Sequence, residues 1–451
     1  MYTVPSKLRL FAIICMIIGA LGVIAGFVLA PSSIEEVKEM MADHHGNGHG
    51  ETHTNSENEN STTVHPGNTV HAENAHATDK HSGDEHFEHV LHQLQNKPWA
   101  ALYIGAFFFF MIALGTLAFY AIQFAAQVGW SPVLFRVMEA ITSYLLPGGI
   151  IMLILLALSG FHLNHLFIWM DPEIVAHDEL LQGKSGWLNV PFFLIRALFY
   201  LIGWNIYRHF AVKYSRLQDE STDDVYYKRS FKAAAGFLVF FIYTESMMSW
   251  DWIMSLDPHW FSTLFGWYVF ASLFVSAITT IALITIFLKS NGYLEFVNDS
   301  HIHDLAKFMF GISVFWTYLW FSQFMLIWYS NIPEEVTYFI SRIEDYTLPF
   351  FGMLAFNFLL PVLLLINTDY KRINWIIVMT GLVILFGHYL DIYNMVMPAT
   401  VGESWSIGLP EISSILLFLG LFIFIVFGAL TKVPLLPKRN PFLKESKHFH
   451  Y

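Results

Sequence analysis

The sequence predicts an all-α polytopic membrane protein of ten transmembrane helices, arranged as two parallel-repeated four-helix bundles plus two flanking helices. Three observations carry this reading. Apolar residues make up 55% of the 451 and charged residues only 13%, more apolar surface than a water-soluble domain can hide. They fall into runs of the length, about 20 residues, that a helix needs to cross roughly 30 Å of hydrocarbon. None of these runs alternates polar with apolar, as the strands of a membrane barrel do, so a barrel is excluded.

Residues 1–30 contain the first run, near 9–30. Lys7 and Arg9 precede it as they would a secretory signal, but the run is too long and no small-residue cleavage site follows, so a retained helix is expected. It holds Cys15, the single cysteine. One thiol gives no iron–sulfur ligation by this chain alone, no internal disulfide and no thioether-linked haem.

Residues 31–98 differ from the rest, with eleven of the 21 histidines, twelve acids and hardly any apolar stretch. A largely disordered loop is expected there, with a short amphipathic stretch near 85–95. Its histidines have no fixed spacing, which favours a solvated linker over a metal site. The segment contributes −9 of the net charge of −12, so the acidity belongs to the loop and not to the membrane body. Residues 99–256 hold helices two to five, near 99–126, 133–159, 188–210 and 231–255. Residues 257–398 hold helices six to nine, near 262–288, 306–330, 347–367 and 373–397, and 399–451 hold the last helix, near 410–430, and a basic tail.

Orientation follows from lysine and arginine. The N-terminus, the even-numbered connections and the C-terminus carry 18 of the 24. Five lie on the other side (Lys38, Lys80, Lys97, Lys184 and Arg342), and Arg196 is within a helix. The expectation is a bacterial inner membrane with both termini cytoplasmic.

Helices six to nine echo helices two to five. Trp99 and Gly105 open helix two at the spacing with which Trp260 and Gly266 open helix six. Phe167-Ile168-Trp169 followed by Asp171-Pro172-Glu173 matches Leu326-Ile327-Trp328 followed by Ile332-Pro333-Glu334. Val190-Pro191-Phe192-Phe193 matches Leu348-Pro349-Phe350-Phe351, and Asp251 precedes Pro258 by seven positions as Asp391 precedes Pro398. A shift of four helices preserves direction across the membrane, so the duplication is a parallel repeat about the membrane normal, each copy packing as an antiparallel bundle.

Ionisable groups within such helices are costly and therefore candidates for function. Arg196 is in helix four. Glu245 and Asp251 are in helix five, His388 and Asp391 lie three apart on one face of helix nine, and Glu139 is near the cytoplasmic end of helix three. His162 and His165, with Asp171 beyond, have the same spacing at the outer end of helix three. One reading is proton transfer through carboxylates and histidine, with Tyr243, Thr244, Ser246, Ser249, Tyr389, Tyr393 and Asn394 supplying hydroxyls and amides. The other is structural: Arg196 neutralises Asp251 or Asp391, and the terminal histidines meet water. A two-histidine haem would need His388 paired with a histidine at a helix end.

The segment 250–267, WDWIMSLDPHWFSTLFGW, and the segment 389–398, YLDIYNMVMP, resemble two hallmarks of the integral membrane subunits of alternative complex III, a bacterial quinol:cytochrome c oxidoreductase. The ten helices and a likeness over most of 99–430 resemble its F subunits (ActF), within the NrfD/PsrC-like family of quinone-interacting proteins. The resemblance implies a subunit of an assembly with a paralogous NrfD-like membrane subunit, an iron–sulfur subunit and multihaem cytochrome c subunits. It implies no cofactor bound by this chain alone, a quinone as candidate ligand, and a role in assembly and proton translocation. Asp251, His388 and Asp391 fall inside the matched motifs, whereas Glu245, Arg196 and Glu139 lie outside them. A secondary transporter and a purely structural anchor are the rival readings.

Overall fold

The computed structural model describes residues 2–38 and 75–450, with the backbone alone at 75–86, 88 and 89. Among the described residues every regular element is helical. Ten helices are long and apolar enough to span a membrane: α1 (Ser6–Val28), α2 (Ala75–Ala125), α3 (Pro132–Gly160), α4 (Val190–Glu220) and α5 (Val225–Trp252) in the first half. The second half holds α6 (Phe265–Ser290), α7 (Asp299–Ser330), α8 (Thr347–Leu365), α9 (Asn374–Thr400) and α10 (Leu409–Leu430).

One expectation is corrected here. The sequence predicts for 75–98 a loop with a short amphipathic stretch near 85–95, whereas the helix that becomes α2 already runs from Ala75 and passes through Pro98. Polar composition signals only that this stretch lies outside lipid; it does not forbid a solvated helix nucleated by the apolar span it joins. The rest of the loop, 39–74, lies outside the described residues.

Packing follows the duplication. In the first half α2 touches α3 and α5, α3 touches α4, and α4 touches α5, which closes a four-helix ring. In the second half α6, α7, α8 and α9 close a ring through the equivalent pairs. The rings meet through α2–α6, α2–α9 and α5–α6. Exchanging α2 with α6 and α5 with α9 converts the α2–α9 contact into the α6–α5 contact, the pattern that a two-fold repeat about the membrane normal produces. The central pair is accordingly the most enclosed, with 94% of the apolar window of α2 and 89% of that of α6 buried by protein.

Small residues set the closest approaches, since van der Waals packing, with no hydrophobic drive in lipid, must hold such helices together. A Cβ on Gly115 of α2 would stand 2.5 Å from the Leu273 carbonyl oxygen of α6. Helices α1 and α10 cross in the same way, where a Cβ on Gly19 would stand 2.3 Å from the Leu417 nitrogen and one on Gly420 would stand 2.5 Å from the Ala12 oxygen.

Both termini lie on one face. There the tail laces the two rings together: the Lys438 N–H donates to Asp219 at the end of α4 (2.8 Å), and the Ser446 hydroxyl donates to the Trp130 carbonyl before α3 (2.6 Å). Its carbonyl lies 3.0 Å from His301 Nε2 at the start of α7. On the opposite face, Asp171 and Asp178 cap two short helices, Pro172–His177 and Glu179–Lys184, between α3 and α4. The Leu181 backbone N–H and the His259 imidazole hold the Asp178 carboxyl below the usual carboxylate range. The α7–α8 connection, in the equivalent place, carries the helix Pro333–Glu344.

Candidate functional site

The two repeat-related aspartates are both buried in protein, 1% exposed for Asp251 and 0% for Asp391, so neither faces lipid or bulk solvent. Their surroundings differ in kind. Asp251 Oδ1 accepts from Arg196 Nη2 (2.8 Å) and Trp187 Nε1 (2.9 Å), and Oδ2 accepts from Arg196 Nε and Tyr200 OH, each at 2.8 Å. Arg196 also donates to the Trp187 carbonyl (3.0 Å), and its guanidinium lies over the Trp187 and Phe192 rings at 4.1 and 4.3 Å. Four donors fill the four acceptor positions of the carboxylate, and the bidentate cation matches its charge. This geometry is a lock: it leaves no lone pair from which a proton could be relayed. Of the two partners the sequence allowed for Arg196, the fold selects Asp251.

Asp391 has no arginine or lysine within ion-pair distance among the described residues; its ion-pair neighbour is His388, with Nδ1 3.5 Å from Oδ2. Its oxygens accept instead from the Tyr268 hydroxyl, from Ser272 Oγ (2.9 Å) and from Trp316 Nε1 (2.9 Å). Ser272 Oγ also lies 2.9 Å from His388 Nδ1. A hydroxyl has one proton to give. When Ser272 gives it to Asp391, it accepts from His388 Nδ1–H, so the three groups form a continuous chain His388 to Ser272 to Asp391. His388 Nε2 is buried without a hydrogen-bond partner, and the His388 ring stands edge-on to Trp316 at 5.4 Å.

Local structure positions this cluster. In α8, residues Ala355–Leu359 form a π-turn, a single-turn widening that aims side chains away from the α-helical register. It places Asn357, fully buried, with Nδ2 3.5 Å from His388 Nδ1. Gly387 permits the approach, since a Cβ there would stand 2.1 Å from Asn357 Oδ1 and 2.8 Å from Phe356 Cβ. Gly387→Ala is therefore expected to destabilise the fold by about 1–3 kcal/mol through overpacking. Thermal unfolding in detergent checks this, and an unchanged midpoint would show that α8 shifts freely.

Polar groups extend from the cluster in both directions. Towards the face opposite the termini, Tyr268, Gln323, Tyr338, Arg342 and Asn394 line a small cavity of about 10 Å³, close to the space a single water needs, roughly 10–15 Å³. Arg342 is buried there, donating to the Asn394 carbonyl (3.0 Å) and the Tyr338 carbonyl (2.7 Å). Towards the termini, α6 carries Ser276, Thr279 and Thr280 beyond Ser272, all buried. The step from Ser272 to Thr280 covers about 12 Å at the helical rise. Thr279 Oγ1 and, on α7, Ser313 Oγ are buried without hydrogen-bond partners.

The other sequence candidates are scattered. Glu245 is buried in α5, with Oε1 unpartnered, apart from the Asp391 cluster. Glu139 belongs to a network at the termini face, where Oε2 accepts from Arg136 Nη1 (2.6 Å) and Oε1 from Tyr120 (3.1 Å) and Ser215 (2.5 Å). Arg136 also pairs with Asp219, which the tail grips. His162 and His165 do not share a helical face as expected: α3 ends at Gly160, and both side chains are exposed in the turn beyond it. The aromatic-rich turn at 161–167 departs from the helix with His162 at a φ of 58°.

The sequence does not single out Tyr268, Ser272, Trp316, Asn357 or Arg342 as site residues. The hydroxyls expected around Asp391, those of Tyr389 and Tyr393, have no hydrogen-bond partner and do not contact it; Asn394 donates to the Pro349 carbonyl at 3.0 Å. One signal was available for the α6 groups: Ser272, Ser276 and Thr280 recur every fourth residue in a mainly apolar helix, a polar stripe on one face. Neither a protein-family model nor a curated protein matches the chain.

Proposed function

We propose that this protein is a membrane subunit of a respiratory quinol-oxidising complex and that its second bundle relays protons through His388, Ser272 and Asp391. The observation that carries the relay is the absence, among the described residues, of an arginine or lysine paired with Asp391: a fully buried carboxylate held there by neutral donors and an imidazole can accept and release a proton without breaking an ion pair. On one side of it lies the hydroxyl stripe of α6, where Ser276 and Thr280 donate to the carbonyls four residues earlier and keep their oxygens free to accept, and on the other the water-sized cavity by Arg342. In this reading the first bundle, whose aspartate is locked by Arg196, supplies rigidity.

The respiratory assignment rests on the likeness of segments 250–267 and 389–398 to the membrane subunits of alternative complex III. On this reading the membrane is a bacterial inner membrane, and the excess of Lys and Arg on the face of the termini supports a cytoplasmic location for both. Haem c and iron–sulfur clusters would then reside on partner subunits beside a paralogous NrfD-like chain, with quinol oxidised at their junction. Purification in mild detergent tests this: multihaem cytochromes, seen by haem staining, and an iron–sulfur protein are expected to co-purify. Recovery of the chain alone under conditions that preserve other membrane complexes counts against it.

One observation favours a secondary transporter instead. The π-turn of α8 interrupts a spanning helix beside the buried His388–Asp391 pair, and transporters use such breaks at their ion sites. Uptake of a solute by the chain alone in proteoliposomes, driven by a proton gradient, would select that reading.

A further inference from the structure

We propose that the crevice between α1 and α10 at the termini face binds an anionic glycerophospholipid. The crevice has a volume of about 750 Å³, within the range of roughly 300–1,000 Å³ typical of ligand sites. Its walls are apolar, with Leu8 and Ala12 from α1 and Ile423 and Phe424 from α10, whereas Arg9 and Lys432 line it with the charge. No acidic residue lines it, and among the described residues neither cation has a carboxylate partner. The first turn of α1 holds no acid that could supply one.

Two like charges lining one apolar slot are matched by one kind of occupant: an acyl chain with a phosphate at its end. A soluble anion would leave the slot unfilled, and an uncharged lipid would leave the cations uncompensated. The setting agrees. Only 22% of the apolar window of α1 is buried by protein, so the crevice opens sideways onto the hydrocarbon. It lies at the face richest in Lys and Arg, where anionic headgroups gather. Bound there, the lipid would fasten α1, which otherwise packs chiefly on α10.

The test is native mass spectrometry of the full chain in mild detergent, titrated with phosphatidylglycerol or with phosphatidylcholine of the same acyl composition. Phosphatidylglycerol adducts are expected to survive preferentially. Arg9→Gln with Lys432→Gln should weaken them about thirtyfold, the effect of two near-surface cations. The control pair Lys228→Gln with Arg229→Gln, on the same face but away from the crevice, should leave them unchanged. Equal binding of the two lipids, retention in the crevice variant, or equal loss in the control overturns the proposal. So does displacement of the adduct by millimolar inorganic phosphate, which would assign the cations to a soluble anion. A preserved helical circular-dichroism melt establishes that the variants fold.

Discussion

Arg196→Leu is expected to destabilise the protein by about 3–5 kcal/mol, because it strands a buried aspartate with half of its donors removed. Arg196→Leu combined with Asp251→Leu should recover most of that loss, since a buried ion pair offsets little more than its own desolvation and an apolar pair of similar volume replaces it at small cost. The measurement is thermal unfolding of the detergent-solubilised chain, followed by tryptophan fluorescence. Trp187 and Trp204 both lie near the pair: Trp187 donates to Asp251, and Trp204 stacks on Tyr200 at 5.9 Å. If the single variant unfolds like the parent, the pair is solvated in a way its 5% and 1% exposures do not suggest, and the view of the first bundle as a lock fails.

Asp391→Asn is the larger functional change. With the complex assembled, proton release coupled to quinol oxidation is expected to fall roughly 10²-fold, the lower end of what a positioned proton-transfer group contributes. The substitution keeps the shape of the side chain and removes only its ability to carry a proton. Ser272→Ala separates relay from packing: it deletes the hydroxyl between His388 and Asp391, so coupling should drop by far more than the loss of about 1–3 kcal/mol in stability from one missing buried hydrogen bond can explain. Asp251→Asn should do the reverse, lowering stability with little effect on coupling in whatever complex survives. Measurements in inverted membrane vesicles with a pH-sensitive dye distinguish these patterns. Normal proton release in assembled Asp391→Asn would reduce the cluster to a packing device and leave the anchor reading.

Much of the architecture was legible because lipid is an exacting solvent. Backbone groups in hydrocarbon must be satisfied within the segment, so an apolar run of sufficient length has one available structure. That is why α1 and α3 to α10 fall close to the runs seen in the sequence. The solvated extension of α2 was not legible, because outside the bilayer the same polar composition serves helix and loop equally well. The repeat was visible in short matches at helix ends, where Trp, Pro and acidic residues mark the interface in both halves.

The site was only half legible. Burial of Asp251, Asp391, His388, Glu245 and Arg196 follows from their cost in lipid. Their different fates do not. Aligned through the repeat, Arg196 stands opposite Leu354 and His388 opposite Met248; this shows that the halves diverged, without showing which groups meet. Arg196 reaches Asp251 because α4 and α5 adjoin in the first ring, whereas Asp391 turns towards Tyr268 and Ser272 on α6 and Trp316 on α7.

By itself, then, the sequence determined the all-helical class, the number of spans, their duplicated order and the inward placement of the acids, since each depends on the free energy of moving a segment or a charge from water into lipid. The tertiary structure alone decided which donors surround each acid, and hence that Asp251 is neutralised by a cation while Asp391 shares a hydroxyl with an imidazole. That choice depends on distances between side chains from different helices. It is set by where glycines such as Gly115 and Gly387 let backbones close and where the π-turn of α8 rotates Asn357 inward.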